Sequence, residues 1–179
     1  MKSTSYEATA VLVRRAVTLD APQIAEIYNQ GIEEREATFE TETRTGAEMR
    51  RWLLDHDWRH PVLVASVKGK PKRIVGWASV SAYRARKCYS GVGEFSVYVR
   101  RGYRGKGIGK GLVSALIGES ARVGYWKLLS RVFEFNKASR RLCKGCGFRE
   151  VGVYEKHGKL DGKWIDVVIV ERLIPKNLG

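Results

Sequence analysis

Residues 101–111 read Arg-Gly-Tyr-Arg-Gly-Lys-Gly-Ile-Gly-Lys-Gly, in which four glycines alternate from Gly105 to Gly111 and four residues are basic. The run before it, Glu-Phe-Ser-Val-Tyr-Val at residues 94–99, is β-branched and aromatic and predicts a strand. After it, Ile108, Leu112, Leu116 and Ile117 fall near helical spacing. A strand, a glycine-rich turn and a new helix put inward-turned N–H groups beside the positive end of a helix dipole. That arrangement suits a phosphate or pyrophosphate. The dinucleotide spacing G-x-G-x-x-G is not met, and no Gly-Lys-Ser/Thr completes a P-loop. What fits is Arg104-x-x-Gly107-x-Gly109 directly after a strand.

Other reactive side chains are fewer. Cys143 and Cys146 form C-x-x-C, but no second pair accompanies them, and His56, His60 and His157 are scattered. No metal site is expected, and a redox role for the pair stays open. Glu94 heads the central strand, and Arg84 and Arg86 lie on a basic loop just before it. Two guanidiniums there suit bidentate capture of an anion, or else belong to a solvated basic loop.

The chain has 179 residues, 44% hydrophobic, enough for one domain with a core of its own. Its net charge of +14, from 33 basic and 19 acidic residues, favours anionic ligands and solubility. The first ten residues are polar with no apolar centre, so they predict a flexible tail rather than a signal segment, followed by a single domain over residues 11–179. No apolar run approaches the ~20 residues that span a bilayer. Three cysteines are too few for a disulfide framework and point to the cytoplasm.

The elements that must position these groups follow in order. Residues 11–16 predict a first strand. Asp20 with Gln23 predicts a capping box opening a helix with Ile24, Ile27 and Tyr28 inward. Residues 33–43 have no steady period and predict a loop, in which Phe39 is either a core plug or one wall of a binding cleft. Thr45 with Glu48 predicts a second capping box and a helix with Met49, Trp52 and Leu53 on one side. Residues 62–67 and 74–80 predict a hairpin about a basic turn. Beyond the glycine loop and its helix come a strand at residues 128–133 and a short helix near Asn136 that ends by Gly147. Strands at residues 151–156 and 164–171 flank the turn signal Asp161-Gly162.

This order, with Arg104-x-x-Gly107-x-Gly109 and Asn136-x-Ala-Ser before Gly147-Phe148, resembles the GNAT N-acetyltransferase superfamily over residues 13–173. The runs Ile27-Tyr-Asn29, Ala37-Thr-Phe-Glu-Thr41, Gly76-Trp-Ala-Ser79, Ser96-Val-Tyr-Val99 and His157-Gly-Lys-Leu-Asp-Gly-Lys-Trp164 are similar to its phosphinothricin N-acetyltransferase group, which includes enzymes acting on methionine sulfoximine and arsinothricin. The resemblance implies an α/β fold whose mixed central sheet splays open after the strand ending at Val99, with acetyl-coenzyme A in the split. It implies that the backbone of Val97, Tyr98 and Val99 pairs with the pantetheine arm. Arg104, Gly105, Lys106, Gly107, Ile108, Gly109 and Lys110 would take the pyrophosphate, and Asn136 would bond the pantetheine. It also implies a homodimer.

Acetylation needs a neutral amine, hence a base or a water chain to one. Glu94 matches the glutamate that the group is thought to use; otherwise it is a strand-end carboxylate paired with a nearby cation. A backbone N–H near Val97 or Tyr98 is the candidate oxyanion donor. Arg84 and Arg86 match loop arginines that hold an amino-acid carboxylate in the group. Many relatives carry Tyr or His where Cys143 stands, so the general acid stays open. The expected reaction is transfer of acetyl to the α-amine of a small amino acid or toxic analogue. Alternatives are acetylation of a protein or peptide amine and, from another class, nucleic-acid binding, for which no helix-turn-helix, zinc-finger or RNP-like signature is present.

Overall fold

The computed structural model describes residues 11–67 and 69–179; the tail expected at residues 1–10 lies outside them. Seven strands form one sheet: β1 (Val11–Arg15), β2 (Val62–Val67), β3 (Lys70–Ala82), β4 (Val92–Val99), β5 (Lys127–Phe133), β6 (Arg149–Leu160) and β7 (Lys163–Leu173). Their order is β1-β2-β3-β4-β5-β7-β6. Only the β4–β5 pair is parallel. The connection between those two strands is the helix α3 (Ile108–Arg122), as a parallel crossover requires.

Two faces of the sheet are covered by different helices, and strand alternation decides which residue meets which. On one face Ile108, Leu112 and Leu116 of α3 pack over Val75, Ala78, Val80 and Phe95, joined by Cys143 of α4 (Lys137–Gly145). On the other, Ile24 and Ile27 of α1 (Ala21–Glu34) and Met49 of α2 (Gly46–Asp55) pack over Val64, Ile74 and Trp77. Gly76 is what lets α3 lie close: a Cβ there would sit 2.9 Å from Leu112 and 3.0 Å from the Tyr98 carbonyl oxygen.

The helix starts behave differently from one another. Thr45 caps α2 as expected: its hydroxyl accepts from the Glu48 N–H at 3.2 Å while Glu48 accepts from the Thr45 N–H at 2.7 Å. The expected Asp20–Gln23 box does not form. Asp20 instead accepts two bonds from Arg14, at 2.7 and 2.8 Å, and one from the Val17 N–H at 2.9 Å. Gln23 accepts from the Ile74 N–H at 2.9 Å, tying α1 to the irregular register of β2 and β3. Charge and a free strand N–H outcompeted the local cap.

The last two strands are longer than their sequence signals. Asp161 and Gly162, both at positive φ (47° and 78°), make a two-residue turn whose twist lets β6 and β7 run together along most of their length.

The feature that positions the site is the divergence of β4 from β5. They pair only at Val92–Lys127, Gly93–Leu128 and Glu94–Leu129. The split therefore begins partway along β4, at Glu94, and not beyond the end of the strand at Val99. Past Glu94, β4 keeps β3 as its neighbour and turns an unpaired edge toward β5.

Candidate active site

Two openings meet at the free part of β4. A narrow slot of about 60 Å³ lies in the split, between residues 95–98 and residues 130–133, with Asn136 and Cys143 of α4 at its side. A cavity of about 420 Å³ lies on the other side of β4, over Trp77, Ser79, Ser81, Ser96 and Tyr98, walled by Tyr28, Met49, Trp52 and His56. Ser96 and Tyr98 line both. A thioester entering by the slot and an amine entering by the cavity would meet there.

The glycine loop closes the outer end of the split. Gly102, Gly105 and Gly107 have φ of 81°, 73° and 79°, a region costly to any residue with a Cβ. Gly107 is the N-cap of α3 and supplies no side-chain acceptor. The first ladder bond of the helix is from the Gly111 N–H to the Gly107 carbonyl at 3.0 Å, so the N–H groups of residues 108–110 lie outside the ladder. A Cβ at Gly105 or Gly107 would meet no atom within 4 Å. The loop is thus a cluster of unbonded donors at the positive end of a 15-residue helix, with open space in front of it.

Its side chains mostly hold the loop in shape. Arg104 donates from Nε to the Val99 carbonyl at 3.0 Å and pairs with Glu34 at 2.7 Å. Arg101 donates to the same carboxylate at 2.8 Å. Partial burial opposes ionisation of Glu34, but the two guanidiniums outweigh it and hold the carboxyl below its usual range. Lys106 donates to the Gly102 carbonyl at 2.9 Å and lies over the Tyr103 ring. Ile108 is buried in the core, so only its backbone can face a ligand. A Cβ at Gly109 would sit 3.0 Å from Leu142, so this glycine lets α3 pack on α4. Lys110 is exposed.

Residues 24–148 match the acetyltransferase (GNAT) family. The chain belongs to this family. A phosphinothricin N-acetyltransferase of Streptomyces coelicolor is 36% identical over 163 residues, covering 90% of this chain and 95% of its own. An L-methionine sulfoximine/L-methionine sulfone acetyltransferase of Salmonella typhimurium is 31% identical over 164 residues, covering 89% of this chain and 92% of its own. Among solved structures, a GNAT phosphinothricin acetyltransferase from Sinorhizobium meliloti in complex with acetyl-coenzyme A matches with a TM-score of 0.84 at 30% identity, over 92% of this chain and 88% of that one. The seven-stranded, split sheet is the GNAT fold, and the chain is an N-acetyltransferase that takes acetyl-coenzyme A as acyl donor.

Within this GNAT site, Glu94 is the last residue of β4 to pair with β5, and it shares a face with Ser96 and Tyr98. Its carboxylate accepts from Arg131 of β5, at 2.8 Å from Nε and at 2.5 and 2.7 Å from Nη2. Asn136 caps α4, accepting from the Ser139 N–H at 3.0 Å, and donates to the Glu36 carbonyl at 2.8 Å. Its amide thus ties the loop after α1 to the mouth of the slot. Tyr98 stacks on Trp77 with centroids 4.8 Å apart, and burial drives its phenol far above the usual range. Burial also pushes the Cys143 thiol up to about 12. Buried with Leu112, Leu116 and Phe148, Cys143 reads as a packing residue of the GNAT core.

Three expected acceptor-binding residues lie elsewhere. Phe39 is seated on Phe133, with centroids 4.7 Å apart, and a Cβ at Gly158 would meet its ring at 2.8 Å. It is the plug that holds the loop after α1 against β5 and β6, not a cavity wall. Arg84 and Arg86 are exposed and line neither opening; Arg84 lies over its own neighbour Tyr83. The structure brings in two residues that the sequence did not single out, Arg131 in the slot and Arg44 in the cavity, and places His56, one of the three scattered histidines, on the cavity wall. His56 donates from Nδ1 to the Trp52 carbonyl at 2.8 Å, which leaves Nε2 as an acceptor. Burial holds its imidazole below the usual range. A histidine just past the end of a capped helix was the only signal for it; Arg44 had its place directly before the Thr45 cap.

Proposed function

We propose that this enzyme acetylates the α-amine of a small amino acid or a toxic analogue of the phosphinothricin and methionine sulfoximine kind. One observation carries the reading: the cavity that meets the slot at Ser96 and Tyr98 measures about 420 Å³, the scale of a small-molecule site, and has charged groups on its wall. The acceptors named for the S. coelicolor and S. typhimurium relatives are of that size and charge. In this reading the edge of β4 at Val97, Tyr98 and Val99 pairs with the pantetheine arm. The N–H groups of Gly105 to Lys110 hold the pyrophosphate, and Arg104 and Lys106 keep their loop in shape. Asn136 keeps the slot's mouth in place. The neutral amine attacks the thioester carbonyl directly; the new C–N bond forms, the C–S bond breaks and coenzyme A leaves as its thiolate. A strand N–H at Val97 or Tyr98 faces the developing oxyanion, and Glu94 accepts the amine proton through water.

A screen with acetyl-coenzyme A, reading free thiol, tests this. Amino-acid analogues of the phosphinothricin and methionine sulfoximine type are expected to give the highest kcat/KM, and peptides, whose carboxylate is far from the amine, the lowest. Faster acetylation of peptide N-termini than of every free amino acid would assign the enzyme to protein acetylation instead.

We further propose that the enzyme works in the cytoplasm as a homodimer. All three cysteines are free thiols, which suits a reducing compartment. The sheet ends in the edge strand β6, where Val151, Val153 and Tyr154 are about half exposed. An exposed apolar edge of that length invites a second copy. Sedimentation is expected to give twice the 20.2 kDa chain mass, and Val153→Lys is expected to return it to one; a wild-type monomer at micromolar concentration would overturn the dimer.

A further inference from the structure

The cavity poses a question of charge. An α-amino acid brings a carboxylate, and a carboxylate leaving water needs a cation or several donors. Among the described residues, Arg44 is the one arginine or lysine that lines the cavity, beside the carboxylates of Glu40 and Glu48. Arg84 and Arg86 line no part of it.

Arg44 is held where a binding residue needs to be held. The Asn29 side chain from α1 clamps its backbone on both sides, accepting from the Arg44 N–H at 2.7 Å and donating to the Arg44 carbonyl at 2.9 Å. The next residue, Thr45, is locked by its capping box with Glu48. The guanidinium spends Nη2 on Glu40 at 2.6 Å, and a guanidinium has five donors in a rigid fork. A solvated surface arginine has no use for a backbone fixed from two directions, whereas a site that must discriminate does.

From this placement we infer that Arg44, its backbone fixed by Asn29 and its guanidinium paired with Glu40, holds the carboxylate of the acceptor amino acid and sets the enzyme's preference for free amino acids. The inference rests on the small-acceptor reading above. The carboxylate takes the part of the fork that Glu40 leaves, and the α-amine, one carbon away, is left to point toward Ser96 and Tyr98, where the slot opens. Lysine supplies charge without the fork and should serve less well.

The test compares an acceptor amino acid with its carboxamide, which keeps the amine and loses the charge, in wild type, Arg44→Gln, Arg44→Lys and Arg84→Gln. Arg44→Gln is expected to raise the KM for the acid about tenfold, the loss of a hydrogen bond to a charged group. Its KM values for the carboxamide and for acetyl-coenzyme A should stay near wild type, which also reports an intact fold. Arg44→Lys should fall between, and Arg84→Gln should behave as wild type. If free amino acids are substrates but the acid-to-amide ratio is unchanged in Arg44→Gln, or is lost in Arg84→Gln instead, the inference is wrong while the small-acceptor reading stands. Acetylation of peptides with no turnover of free amino acids removes both.

Discussion

Glu94→Gln is expected to lower kcat about 10²-fold at neutral pH, the usual scale for losing a general base, with the KM for acetyl-coenzyme A near wild type. Glutamine keeps the shape and one acceptor toward Arg131 but removes the charge. The fork between β4 and β5 falls at Glu94, two residues before Ser96, the first residue that lines both the slot and the cavity; Glu94 itself lines neither. Its side chain is 21% exposed, which leaves room for a water between it and an incoming amine. Arg131 complicates the assignment, because an ion pair spanning the fork would also serve to hold it open. The two roles separate in the kinetics. Arg131 lines the slot, so loss of a structural clamp should disturb acetyl-coenzyme A first and raise its KM. Loss of a base should strike turnover and shrink toward alkaline pH, where more of the amine is already neutral. A pH series of kcat and both KM values decides it. Near-normal turnover at neutral pH, or a loss that is the same at every pH, removes Glu94 as the base.

Most of the fold was legible because it rests on local signals that tertiary contacts reinforce. The β-branched and aromatic run at residues 94–99 predicted a strand, and the structure has β4 there, with Phe95 in the core and Ser96 and Tyr98 on the cavity side. Thr45 and Glu48 cap each other with no help from elsewhere. Asp20 carried the same kind of signal and failed, because Arg14 on the neighbouring strand offered two charge-assisted bonds in place of one neutral one. Phe39 looked equally apt as plug or wall; the aromatic partner that decided it, Phe133, lies 94 positions away in the chain.

The candidates for the donor half form one run in the sequence and those for the acceptor half do not, for a physical reason. The proposed coenzyme A site is one continuous piece of chain, strand to glycine loop to helix, so its geometry is written in consecutive residues. The acceptor cavity is assembled from α1, the loop after it, α2, β3 and β4. Arg44 and His56 carry no mark of that assembly in the sequence, and Arg84 and Arg86 had the better local context, next to the catalytic strand. Tertiary position separates them: Arg44 has its backbone fixed by Asn29 and its guanidinium turned to Glu40 in the cavity, whereas Arg84 lies over Tyr83 and lines neither opening.

Gly107→Val is expected to weaken acetyl-coenzyme A binding about tenfold or more while the protein remains folded. The backbone at Gly107 has φ of 79°, and holding a residue with a Cβ there costs roughly 1–2 kcal/mol. A β-branched residue resists further. The free protein can escape the strain by letting the loop relax, since a Cβ at this position would touch nothing within 4 Å. In the proposed complex coenzyme A would not allow that, because the N–H groups of residues 108–110 would have to converge on its pyrophosphate. The strain then appears as lost affinity, and about 1.4 kcal/mol is tenfold; a branched side chain standing in the space before the helix adds to it. Gly109→Val should behave differently: its contact with Leu142 at 3.0 Å makes it a packing defect between α3 and α4 that lowers thermal stability. Gly118→Ala, further along the same helix with open space around it, should bind normally and, if anything, melt higher. Calorimetric titration of the three variants with acetyl-coenzyme A, alongside their melting temperatures, checks the contrast. Wild-type affinity in a folded Gly107→Val protein would mean that the pyrophosphate is held somewhere other than the start of α3.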